Sequence, residues 1–346
     1  MKHQTIRYGE IPFYKIGTFG NTADAFISKK LFLEYKTKYS FPKKGDILIS
    51  ASGTIGRAVI YDGKPAYFQD SNIVWIDNDE TLVKNDFLFY AYSNVKWNTE
   101  HTTILRLYND NFRNTLIPLP PLNEQSAIAN ILSDLDRYLY ALDALILKKE
   151  GVKKALSFEL LSQRKRLKGF NQAWQKVRLG DIANYLTSNL SAEQITQQGK
   201  IKVYDVNNFI GYTDTTFISD KPYISIVKDG SVGRVRILPP KTNILSTMGA
   251  LIANHRTTTE FLFYLLSNFD FKNFTSGNII PHIYFKDYKE KTIFLPPLNE
   301  QSAIANILSD LDNEIASLKN KKRQFENIKK ALNHDLMSAK IRVLEK

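Results

Sequence analysis

The sequence predicts a duplicated α+β protein: two variable, mixed α/β domains of small sheet plus helices, each followed by a constant long helix. Three observations predict it. The string LPPLNEQSAIANILSDLD occurs at Leu119–Asp136 and again at Leu295–Asp312, eighteen identical residues at an offset of 176. The likeness continues at the same offset with gaps, Val152–Leu156 answering Ile328–Leu332 and Ser162 answering Ser338. Upstream of each copy lies a segment of a little over 100 residues in which the two halves have diverged. A period this long is a repeat of whole domains and not of a solenoid. It predicts pseudo-two-fold symmetry and four segments: 1–117 variable, 118–169 constant, 170–294 variable and 295–346 constant. A part kept identical points to one partner bound twice. A part that differs points to two targets.

In the first variable segment, Gly45–Ser50 and Ala58–Tyr61 read as strands around a Gly53–Gly56 turn, and Asn72–Ile76 as a further strand. In the second, Tyr223–Val227 and Arg234–Leu238 flank Asp229-Gly230, a hairpin signal. Weak echoes link the halves. Gly53-Thr54-Ile55-Gly56-Arg57 matches Gly230-Ser231-Val232-Gly233-Arg234, and Phe87-Leu88-Phe89-Tyr90 matches Phe261-Leu262-Phe263-Tyr264. The aromatic stretches Phe87–Tyr92 and Phe261–Leu266 read as helices with their rings mostly in the core.

Each constant segment reads as a long helix. Pro120-Pro121 and Pro296-Pro297 end what precedes them, and Asn123 and Asn299 stand where an N-cap belongs. Ile128, Leu132, Leu135, Leu139, Leu142 and Ile146 alternate at four and three, a heptad seam. Ile304, Leu308, Leu311, Ile315, Leu318, Phe325, Ile328, Leu332 and Leu336 continue the pattern in the second copy. A helix from Asn123 to about Lys168 is roughly 65–70 Å long and cannot cover its own apolar stripe. The economical expectation is an antiparallel coiled coil of the two copies. Lys322 stands where Ile146 does, and Lys149 where Phe325 does, so the seam is imperfect mid-helix.

The chain has 346 residues, 43% of them hydrophobic, which is enough for two cored domains. No apolar run of 18 residues exists to span a membrane, and the first residues lack a signal-peptide stretch. There is no cysteine, which fits a reducing cytoplasm and excludes disulfides and cysteine zinc sites. The net charge of +12 is spread over the four segments as +3, +3, +4 and +2. One reading is a generally basic protein; the other is a nucleic-acid partner met by folded surfaces.

No phosphate loop, GxGxxG or Asn-Pro-Pro-aromatic motif is present, and the five histidines fall in no metal-ligand spacing. Asp24 with Glu34 and Lys36 imitates a nuclease pattern, but such triplets are common in charged chains and the other half has no counterpart. Arg57 and Arg234, at the two Gly-x-x-Gly-Arg turns, are candidate phosphate contacts. Lys43, Lys44, Lys228 and Arg236 join them as candidate DNA contacts.

These features resemble the specificity (S) subunit of type I restriction-modification enzymes over nearly the whole chain. The motifs are the doubled LPPLNEQ opening of a long helix, the GDILIS…SGTIGR block, and Trp174-Gln175-Lys176-Val177-Arg178-Leu179-Gly180-Asp181-Ile182. The resemblance implies two target-recognition domains, each reading half of a bipartite asymmetric DNA target. It implies paired constant helices that act as a ruler for the spacer and dock two modification (methyltransferase) subunits, with restriction subunits joining. Catalytic residues and cofactors are then expected on the partners, which bring S-adenosylmethionine, ATP and Mg, and not on this chain. Because the constant helices are kept identical, Glu124, Gln125 and Asn130, with Glu300, Gln301 and Asn306, are the expected partner contacts on an exposed face. Two rivals remain at this point: a self-sufficient methyltransferase or nuclease, and a structural coiled-coil protein with no DNA role. In one departure, Tyr8-Gly9-Glu10-Ile11 answers Gln198-Gly199-Lys200-Ile201, so the first domain lacks the Trp…Leu-Gly-Asp opening.

Overall fold

The computed structural model describes residues 4–69, 72–97, 106–277 and 279–343. The chain folds as two compact units that do not follow the linear order of its segments. Unit 1 is 1–143 with 320–346, and unit 2 is 144–319. Each unit therefore holds one variable domain and half of each long helix.

Unit 1 begins with β1 (Ile11–Tyr14), β2 (Ala25–Ile27) and α1 (Lys29–Lys38). Ser28 starts α1 by accepting a hydrogen bond from the Leu31 N–H at 3.2 Å, and Lys36 and Lys38 sit favourably in its last turn. The predicted hairpin appears as β3 (Ile47–Ser50) and β4 (Ala58–Ile60). After β5 (Tyr67–Phe68), β6 (Ile73–Ile76) pairs with β3 on the other side. The sheets run β2-β1-β5 and β4-β3-β6. Then come α2 (Asn85–Asn94), α3 (Asn109–Arg113) and the 40-residue α4 (Leu122–Leu161).

Unit 2 repeats the plan with additions. Its opening forms β7 (Gln175–Arg178) and β8 (Ala183–Thr187). β9 (Ile201–Tyr204), β10 (Phe209–Thr213), β11 (Tyr223–Val227), β12 (Val235–Leu238), β13 (Asn243–Ile244) and β14 (Met248–Ala253) follow. α5 (Thr259–Ser267), α6 (Phe285–Tyr288), β15 (Thr292–Leu295) and the 40-residue α7 (Leu298–Met337) complete the chain. Sheet β10-β9-β13 answers β2-β1-β5. Sheet β12-β11-β14-β8 answers β4-β3-β6 with one extra strand, and β15-β7 has no counterpart among the described residues.

Within each unit the two half-helices lie antiparallel, because pairs that rise along α4 fall along α7. In unit 2 these are Lys149–Glu314 at 2.7 Å and Lys153–Asp312 at 2.5 Å. In unit 1 they are Lys322–Asp143 at 2.7 Å and Lys329 with Asp136. The lysines that break the apolar seam thus reach acids on the facing helix, keeping their aliphatic stems in the packing. Ile328 does not belong to the seam: it is 51% exposed, and the inward row runs through the half-buried Phe325, Lys329 and Leu332 to the buried Leu336. That row keeps the spacing of four and three but sits one residue over, where Lys329 meets Asp136.

The helix boundaries also differ from expectation. α4 begins at Leu122, and the Pro121 carbonyl accepts from the Gln125 N–H at 2.9 Å. Asn123 lies inside the first turn. Gly151 does not interrupt the helix, which stops at Leu161 and not near Lys168. Gln163 takes a left-handed φ of 62°, and the Lys165 N–H returns to the Glu159 carbonyl at 3.1 Å. Ala339, with φ 54°, ends α7 in the equivalent way.

A candidate DNA interface and inward-facing latches

The two Gly-x-x-Gly-Arg turns are built alike. In unit 1 the Ser50 N–H donates to the Arg57 carbonyl at 2.9 Å, and the Gly56 N–H donates to Ser50 at 3.0 Å. In unit 2 Val227 and Gly233 make the same two bonds with Arg234 and Val227, both at 2.9 Å. Gly53, Gly56, Gly230 and Gly233 have φ between 67° and 82°, so glycine is needed for the turn itself. Both arginines are exposed at their turns. The Arg57 guanidinium donates to the Phe19 carbonyl at 3.0 Å, whereas that of Arg234 has no partner among the described residues.

Of the other basic candidates, Lys228 precedes the unit 2 turn directly. Lys43 and Lys44 are at the opposite end of β3 from Arg57, and Lys43 pairs with Asp77 at 3.1 Å. The structure does not bring them to the turn. Arg236 is half-buried: it donates to the Asn207 carbonyl at 2.9 Å and lies 5.1 Å over the Tyr204 ring, joining the two sheets of its domain. Asp24 pairs with Lys15 at 2.8 Å, and Lys36 lies 5.5 Å over Phe41, so the nuclease-like triplet is dispersed. Among the described residues no group of three or more His, Asp or Glu is placed to hold a metal ion.

The loop formed by the described residues 275–277 and 279–284 is a feature that sequence reasoning missed. It is stitched to the unit 2 turn by the Gly230 N–H to Pro281 carbonyl and Ile283 N–H to Lys228 carbonyl bonds, both 2.9 Å. His282 Nδ1 lies 2.7 Å from Asp229 Oδ1. Around this tip stand Lys228, Arg234, Lys272 and Lys286, with Ile279 94% exposed and Tyr284 exposed beside the Lys286 ammonium. In unit 1 the Leu107 N–H donates to the Ala51 carbonyl at 2.9 Å, and Ser52 bridges Arg106, which places Arg106 where His282 stands. The signal available in sequence was position alone: both loops follow the aromatic helix. A basic tip with aromatic and imidazole groups is suited to phosphates and base edges.

The constant helices present a different picture from the one expected. Glu124, Gln125, Glu300 and Gln301 are buried and do not form an exposed face. Gln125 Nε2 donates to the Leu82 and Pro120 carbonyls at 3.0 and 2.8 Å, while its Oε1 accepts from the Lys84 N–H at 2.8 Å. Gln301 does the same with Arg256 (2.9 Å), Pro296 (2.8 Å) and Thr258 (3.0 Å). Each glutamine thereby holds the loop that starts the aromatic helix. Glu300 receives Arg166 at 3.2 and 2.6 Å and the Trp174 indole N–H at 2.9 Å. Glu124 receives Arg342 at 2.7 and 2.5 Å, and this guanidinium holds its carboxyl below the usual carboxylate range. Tyr90 and Tyr264 donate to Asp136 and Asp312, each at 2.8 Å. Burial first, and that carboxylate second, raise both phenols well above their ordinary value. These identical residues face inward because a buried polar group needs a partner, which the variable domain supplies to the glutamines and aspartates and an arginine of the constant segments, Arg342 or Arg166, supplies to the glutamates. Asn130 and Asn306 alone of the six are exposed.

Comparison with known proteins follows the same lines. The sequence profile described as the type I restriction modification DNA specificity domain matches residues 1–149 and 171–327. A putative type I restriction enzyme specificity subunit of Haemophilus influenzae is 63% identical over 137 residues, covering 39% of this chain and 36% of that protein. The putative MjaX specificity subunit of Methanocaldococcus jannaschii is 28% identical over 335 residues, covering 86% and 79%. The S subunit of a type I restriction-modification system from M. genitalium shares the fold, with a TM-score of 0.63 at 20% identity over 97% of this chain and 91% of that one. No described helix is long and apolar enough to cross a membrane.

Proposed function

Because the chain belongs to the type I restriction-modification DNA specificity family, we propose that it is the subunit that selects the DNA sequence on which a methyltransferase and a restriction subunit act. Each unit reads one half of a bipartite target. The observation that carries this reading is the contrast between the two kinds of residue. The glutamine and tyrosine–aspartate latches are the same in both units, whereas the basic tips differ, with Asp229 and His282 in one and Ser52 and Arg106 in the other. A duplicated frame that holds two unlike surfaces suits one asymmetric double-stranded target.

Arginines and lysines at the tips would supply salt-dependent affinity through phosphates, and polar groups of the 275–284 loop and its unit 1 equivalent would supply base readout. The exposed faces of α4 and α7 around Asn130 and Asn306 would dock two modification subunits in equivalent ways, with restriction subunits added to that complex. S-adenosylmethionine, ATP and Mg would be held by these partners, and the assembly would work in the cytoplasm. Co-expression with the modification subunit tests the reading: it predicts a complex of two modification subunits per chain that methylates one bipartite sequence. A chain that methylates or cuts DNA by itself contradicts it.

A further inference from the structure

The unit 2 tip is built from three short extended segments with one polar face. Asp229 and His282 stand directly opposite each other. The main-chain bonds beside them run from the Gly230 N–H to the Pro281 carbonyl and from the Ile283 N–H to the Lys228 carbonyl. Theirs is therefore the narrow, non-hydrogen-bonded kind of antiparallel pair, which brings side chains closest. On its other side His282 exchanges main-chain bonds with Ser276 at 2.7 and 2.9 Å. Directly opposed residues share a face, so Asp229, His282 and Ser276 form a row, while the next residue, Ile283, is buried behind it. Tyr284 returns to the front, its ring centroid 6.5 Å from that of the imidazole at an interplanar angle of 24°.

This row fixes what His282 offers to a ligand. A carboxylate only accepts, so the 2.7 Å contact with Asp229 makes Nδ1 the donor. In the neutral ring Nε2 is then an acceptor, held in one orientation. The side chain keeps 35% of its surface exposed, enough for a ligand to reach it. A carboxylate is otherwise out of place here, because it repels phosphates at a tip that carries Lys228, Arg234, Lys272 and Lys286. Orienting the imidazole accounts for its presence.

Unit 1 has the same narrow pair made of other residues. Arg106 stands 176 residues before His282, the offset of the repeat, and bridges Ser52, which carries no charge. A guanidinium only donates, whereas the held imidazole offers an acceptor. The two units thus present opposite hydrogen-bonding characters at one equivalent place.

Resting on the reading of the chain as a DNA specificity subunit, we propose that His282 is a specificity-determining residue of unit 2, with Asp229 as its positioning residue. Nε2 accepts from the exocyclic amine of one adenine or cytosine in the major groove. At the equivalent place in unit 1, Arg106 donates to a guanine. Adenine N6 and cytosine N4 are major-groove donors, while guanine and thymine show oxygen acceptors there. His282 rejects guanine and thymine at its position, because an acceptor would face an acceptor.

The test uses the chain assembled with its modification subunit and a DNA library in which each position of the wild-type target is varied to all four bases. Methylation is read by sequencing. One position of the unit 2 half-site should prefer adenine or cytosine. His282→Ala and Asp229→Ala should each reduce that preference by about tenfold and leave the other positions unchanged. Installing the unit 1 pair, Asp229→Ser with His282→Arg, should convert the position to guanine. A wild-type complex with no defined target overturns the proposal together with the functional reading beneath it. With a defined target, the proposal alone is overturned when the alanine variants weaken methylation evenly at all positions or not at all. It is also overturned when the position they alter prefers guanine or thymine in the wild type. If either alanine variant abolishes methylation, the double variant decides: a change to guanine at one position supports the proposal, and any other outcome overturns it.

Discussion

Arg166→Met should loosen unit 2 and cost recognition of one half-site. Glu300 is 0% exposed, and Arg166, 26% exposed, supplies two of its three donors. Removing the guanidinium leaves a buried carboxylate held by the Trp174 N–H alone. Breaking such a pair costs about 3–5 kcal/mol, and partial solvent access to the arginine places this case near 3 kcal/mol. For a unit of this size that lowers Tm by about 6–12 °C. Adding Glu300→Gln removes the stranded charge, so the double variant should be more stable than Arg166→Met by at least about 1 kcal/mol. Calorimetry and denaturant melts measure the stability. Methylation of the co-expressed complex measures the function, which should fail at the unit 2 half-site first. Equal stability of the single and double variants would refute the claim that an unpaired buried charge is the cause.

Arg234→Ala should weaken DNA binding by the assembled complex about equally for all sequences and lower the salt slope by about 1, read by titrating affinity against salt. Asn130→Glu should reduce the modification subunits bound from two to one, and Asn130→Glu with Asn306→Glu to none, as measured by light scattering; retention of both would put docking elsewhere. Glu124 has a depressed pKa in the fold, so its contribution is present above the ordinary carboxylate value and lost as pH falls through the lower, folded value. Acid melts of wild type should be steeper than those of Glu124→Gln. Tyr90 and Tyr264 have raised values, so their contribution is fully present below the ordinary phenol value of about 10 and is lost as pH rises from there through the higher, folded value. Tyr90→Phe and Tyr264→Phe should each flatten the alkaline melt relative to wild type.

The repeat, the hairpins around Gly53 and Gly230, and both aromatic helices were legible because local pattern specifies them. The roles of Glu124, Gln125, Glu300 and Gln301 were not. Identity between two copies says that a residue keeps one partner twice, and it is silent on whether that partner is another chain or the chain's own loop. Burial decides it, and burial comes from the fold. Ile328 was misplaced for a related reason: a lysine with a long apolar stem can occupy a seam position when an acid faces it, as Lys329 does with Asp136. The 275–284 loop has no periodicity to read. It became a candidate only when its bonds to Lys228, Asp229 and Gly230 placed it at the basic tip.

The most direct measurement is the methylome of cells carrying a chimera in which residues 170–294 come from a relative of different specificity. With the Gln301 and Glu300 latches retained, the account predicts a new bipartite target whose one half is changed and whose other half is that of the parent. A target changed in both halves, or in neither, would contradict the claim that each unit reads its own half.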